Sequence, residues 1–129
     1  MKRVVLAAAL VLLLAACGRG STALYTRAAT SACLEKAGFT PRSVASSTDF
    51  VANSATGGAF AVDLPDNRVT VSFGSTLTDA DNIDDAYRRF RAKNVGIDDV
   101  LRRQQNAIML WHLHPQDNDL QTITNCLSS

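Results

Sequence analysis

The chain has 129 residues, 47% of them hydrophobic, with 13 Lys and Arg against 12 Asp and Glu. That length holds one domain, since domains take roughly 100–150 residues, and the apolar content is enough for a core and excludes general disorder. A net charge of +1 is too small for a nucleic-acid surface and argues against a charged tail.

The first element is an export signal. Met1-Lys2-Arg3 opens an unbroken apolar run of 14 residues, Val4 to Cys17, which stops at Gly18-Arg19-Gly20. A spanning helix needs about 20 apolar residues, so a basic start, a short apolar stretch and small residues at its end predict a cleaved secretory signal. The run closes on Leu14-Ala15-Ala16-Cys17, which resembles the lipobox of bacterial lipoprotein precursors at every position. The resemblance implies cleavage after Ala16, a diacylglycerol on the Cys17 thiol and further acylation of the new amino terminus. Two or three acyl chains, at about 0.8 kcal/mol per buried CH₂, anchor stably where one does not. Residues 1–16 are therefore expected to be signal peptide, 17–21 a lipidated tether, and 22–129 one domain. Gly18 is not the aspartate that the family uses for inner-membrane retention, which leaves cell membrane and outer membrane both open. Setting Lys2 and Arg3 aside, 11 cations face 12 acids.

Helical spacing of Leu24, Ala28 and Ala32 with Tyr25, Ala29 and Cys33 predicts a helix over Thr22–Ala37, capped by Ser21 or Thr22 and stopped by Gly38. Arg42–Gly58 is weakly patterned, with Val44 and Phe50-Val51 as one short edge strand. Phe60, Val62 and Leu64, then Val69, Val71 and Phe73, alternate with polar or small residues around Pro65-Asp66-Asn67, the pattern of a β-hairpin with one apolar face. Thr78 and Asp81 resemble a capping box opening a helix that buries Ala80, Ile83, Ala86 or Tyr87, and Phe90, with acids in its first half, bases in its second, and Gly96 as its end. Ile97–Gln105 reads as a polar connector with one helical turn near Val100-Leu101. Ala107–Leu113 is apolar on both faces, as an interior strand is, and Pro115 breaks it. Asp117 or Asn118 caps a last helix that turns Leu120, Ile123 and Leu127 inward. The order α-(β)-β-β-α-β-α predicts an α+β domain, a mainly antiparallel sheet with helices packed on one face.

With Cys17 committed to lipid, Cys33 and Cys126 form an even pair in an oxidising compartment and are expected to be disulfide-bonded, joining first helix to last. Neither has the CxxC neighbour of a redox or metal pair.

No catalytic residue can be named, because GxSxG, HExxH, P-loop and GxGxxG patterns are all missing from the sequence. His112 and His114, two apart on a strand, are weak metal-ligand candidates with Asp117 or Asp119, yet zinc needs three or four ligands and no third His exists. Asp79-Ala80-Asp81-Asn82 fails as a calcium loop, since Ile83, Asp84 and Phe90 stand where an oxygen ligand, a glycine and a bidentate glutamate belong. Arg88, Arg89, Arg91 and Lys93 with Arg102 and Arg103 could meet anionic headgroups, but dipole complementation and intrahelical pairing account for them. The expectation is a membrane-anchored binding or interaction module on the extracytoplasmic side, needing no cofactor and no nucleic acid, with an envelope protein or small ligand as partner. The alternatives are a small envelope hydrolase or metal-dependent enzyme using the His112 region, and a structural accessory of an envelope complex.

Overall fold

A computed structural model describes residues 23–91 and 96–129; the signal, Cys17 and the tether lie outside the described residues. Five helices and four strands follow in the order α1 (Arg27–Lys36), α2 (Phe50–Asn53), β1 (Ala59–Asp63), β2 (Arg68–Phe73), α3 (Leu77–Arg91), α4 (Ile97–Val100), β3 (Leu101–Gln104), β4 (Ala107–Trp111) and α5 (Asp117–Cys126). The strands form one antiparallel sheet in the order β1-β2-β4-β3. The chain is thus α+β, and a Cys33–Cys126 disulfide ties α1 to α5, both as the sequence indicates.

The hairpin pairs Phe60 with Val71 and Val62 with Val69, and β4 extends the same rungs with Met109 and Trp111. Directly opposed residues share a face, so these side chains make one apolar surface. It is covered by Leu34 of α1 and by Ile123 and Cys126 of α5. The opposite surface carries Ser72, Ile108 and Leu101, and beneath α2 and α3 it buries Val51, Ala80, Ile83 and Tyr87. The helices therefore divide between both faces rather than packing on one. The physical reason lies in β4, whose residues are apolar on both sides and need two covers.

Several local expectations change. The chain stays extended through Thr26, which caps α1, because the Asn106 side chain holds both the Tyr25 N–H and the Tyr25 carbonyl at 2.9 Å. Phe50-Val51 is helical, not an edge strand: the Asp49 carboxylate accepts the Ala52 N–H at 3.0 Å, and that cap outweighs the β preference of Phe and Val. Thr76 caps α3 by accepting the Asp79 N–H at 3.0 Å, so the capping residue is Thr76, two residues earlier than the expected Thr78. α3 is described to Arg91, and Gly96 instead stands at the N-cap of α4. Asp117 and Asn118 are the first residues of α5, with Gln116 before them at the cap position.

Leu101–Gln104 is a strand, where the sequence shows only a connector. It turns into β4 through Gln105, whose φ is 53°, a position usually given to glycine or asparagine. Gly38, at φ 91°, does stop α1 as expected.

Candidate functional site

The helical layer on the second face leaves one end of the sheet open. There Asp63 lies opposite Arg68, and His112, one residue past β4, donates its N–H to the Arg68 carbonyl at 2.8 Å. One rung inward Thr70 lies opposite Leu110. Thr48 and Asp49 wall this end from the α2 side, and Ile97 and Val100 from α4. The result is a groove of about 310 Å³ with polar groups around an apolar floor.

The charged groups Asp49, Asp63 and Arg68 at this end are held by structural partners. Asp49 is only 5% exposed; one carboxylate oxygen caps α2 and the other accepts the Tyr87 hydroxyl at 2.9 Å. Ser72 lies 3.4 Å from that same hydroxyl. Asp63 bridges Arg42 and Arg68, the latter through Nε at 2.6 Å. The Arg68 hydrogen bond, with smaller help from both guanidinium charges, holds the Asp63 carboxyl below its ordinary value despite some desolvation. Trp111 lines the groove and is 2% exposed, and its buried indole Nε1 has no hydrogen-bond partner among the described residues. Trp111 is thus a core residue by its exposure.

His112 and His114 do not share a strand, because β4 ends at Trp111. His112 lines the groove beside Arg68, whereas His114 pairs with Asp99 at 2.7 Å and borders a separate open hollow with Asp117. Among the described residues no group of three or more His, Cys, Asp or Glu side chains could hold a metal ion. The α3 acids also separate: Asp79 accepts from Thr56, Asp81 pairs with Arg103, and Asp84 with Arg88. The basic residues disperse in the same way, Arg88 to Asp84 and Asp98, and Arg102 to the Asp98 carbonyl.

Sequence reasoning singled out His112 but missed Arg68, Thr70, Leu110 and Asp49 as its surroundings. No spacing signal links them, since antiparallel pairing and a loop bring them together. The chain matches no protein-family model, no curated protein and no solved structure. Among the described residues, no helix is long and apolar enough to cross a membrane.

Proposed function

We propose that this chain is an exported lipoprotein, held by acyl chains on Cys17 at the extracytoplasmic side of the cell membrane or outer membrane, whose domain binds a small ligand. The lipobox Leu14-Ala15-Ala16-Cys17 supports the anchor. A Cys33–Cys126 disulfide fits the oxidising compartment to which export leads.

One observation carries the binding reading, the groove at the open end of the sheet. Arg68, His112, Thr48 and Thr70 surround a floor that includes Leu110 and Val100, which suits a ligand with an acceptor-bearing head and an apolar body. Catalysis is the weaker reading, because Asp49 is engaged by a helix cap and by Tyr87, and neither is arranged as a nucleophile with its base.

Two experiments test this. The protein purified from membranes in mild detergent should carry a small-molecule adduct in native mass spectrometry, and an Arg68→Ala/His112→Ala variant should lose it. Identical bare masses for both, with no thermal stabilisation of the wild type by envelope extract, would refute the binding site. Separately, Cys17→Ala should remain an uncleaved precursor that incorporates no labelled fatty acid; normal maturation of that variant would end the lipoprotein reading.

A further inference from the structure

Where α2 meets α3, Phe50 and Phe90 are 53% and 55% exposed and touch edge to face, with ring centres 5.1 Å apart. Beside them runs a hollow of about 170 Å³, bounded by Phe50, Val51, Ile83 and Ala86 together with four polar residues, Asp79 among them. That volume is below the roughly 300–1,000 Å³ of small-molecule pockets, so the feature is a surface rather than a ligand cavity. The chain around Phe90 reads Arg88-Arg89-Phe90-Arg91, cationic without an acid, and Arg89 is exposed.

Chain length limits what this surface can meet. The backbone is fastened to the domain from Tyr25, whose N–H is held by Asn106. Seven residues lie between Cys17 and Tyr25, and the eight Cα-to-Cα steps reach at most about 29 Å. A domain of this size has a radius of gyration of about 13 Å, so an acylated Cys17 keeps it within about one diameter of the bilayer. The first turn of α1 meets β1, where the Arg27 Nε donates to the Ala59 carbonyl at 2.8 Å, and Arg27 borders one hollow with Ala52 and Asn53 at the end of α2. The element that carries Phe50 is thus beside the point where the tether joins.

We infer that the α2–α3 face rests on the lipid surface to which Cys17 is anchored, with Phe50 and Phe90 at the boundary between headgroups and acyl chains. This rests on the lipoprotein reading. Aromatic rings favour that boundary, and the exposed Arg89 complements anionic headgroups, whereas Arg88 is engaged by Asp84 and Asp98. Tethering makes the contact effectively intramolecular, so two rings suffice where a free protein would need a larger surface.

The test uses mature lipidated protein in anionic phospholipid vesicles whose acyl chains are brominated, with a tryptophan probe as Phe90→Trp or Leu113→Trp. Leu113 is the control: it is 55% exposed and bonded through its carbonyl to Asn67, at the sheet end away from Tyr25. Buried Trp111 supplies a constant background. Phe90→Trp should be quenched at least about two-fold more than Leu113→Trp, which should match the wild type. Equal quenching in protein that still floats with the vesicles would overturn the inference and leave the anchor standing. A blue-shifted but unquenched Phe90→Trp with a cross-linked dimer would overturn it in favour of a second copy. Failure of the wild type to take up labelled fatty acid would remove the anchor and this inference with it.

Discussion

Replacing both Cys33 and Cys126 with serine should leave a folded but much weaker domain. The bridge spans a sequence separation of 93 residues, and opening a loop of that size returns about 4–5 kcal/mol of chain entropy to the unfolded state. A domain of about 100 residues unfolds with an entropy that converts this into a drop in Tm of about 20 °C. Folding should survive at 25 °C, because total stabilities run about 5–15 kcal/mol. Other links also hold α1 against α5. The Thr26 N–H donates to the Ser128 carbonyl at 2.8 Å, and Leu34 and Ile123 are fully buried between the helices and the sheet. The assay is calorimetry of the oxidised wild type against the double variant at matched pH. A difference below about 5 °C would refute the reasoning, since the bridge would then not constrain the unfolded chain.

Tyr87→Phe removes the donor to a buried carboxylate and should lower stability in urea by about 1.5–3 kcal/mol; no change would mean that Asp49 does not depend on that hydroxyl. Gly74→Ala should cost at least about 1–3 kcal/mol, because the added Cβ would lie 2.4 Å from the Ala80 nitrogen and 2.6 Å from the Thr76 carbonyl oxygen, both backbone of the first turn of α3. Gly38→Ala meets nothing within 4 Å and should show only the penalty of its φ of 91°, about 1 kcal/mol, so equal losses at the two sites would contradict the packing argument. Asp63 has a folded pKa below its ordinary 3.8, so its ion pairs stabilise the fold above that value and are lost as the pH falls through the lowered one. Unfolding curves from pH 6 to pH 2 should therefore fall less steeply for Asp63→Asn than for wild type, and superimposable curves would show that the Arg68 pair contributes nothing.

The candidate site was legible only in fragments. His112 stood out as one of two histidines, but an i,i+2 spacing suggested His114 as its companion. The strand ends one residue too early for that, and the actual neighbour is Arg68, set by the backbone bond across the β2–β4 ladder. Asp49 carries no signal of its own in the weakly patterned stretch Arg42–Gly58. Its burial follows from capping α2 and accepting from Tyr87, 38 residues further on, which no local pattern encodes.

Local chemistry was enough for the elements whose signals are internal to them. The alternation of Phe60 to Phe73 specifies the hairpin and its register, since a one-residue slip would turn every apolar side chain outward. Apolar periodicity likewise specifies α3 and α5, except that Phe90, expected on the buried stripe of α3, is 55% exposed because it lies one turn beyond the part of α3 that covers the sheet; the even cysteine pair specifies the bridge. β3 escaped because Leu101-Arg102-Arg103-Gln104 has no strand pattern of its own and is a strand only through its bonds to β4. The distribution of helices over two faces, and hence the open end of the sheet, also came from tertiary structure alone. Periodicity tells which side of an element is apolar, but which neighbour covers that side depends on packing between segments far apart in the chain.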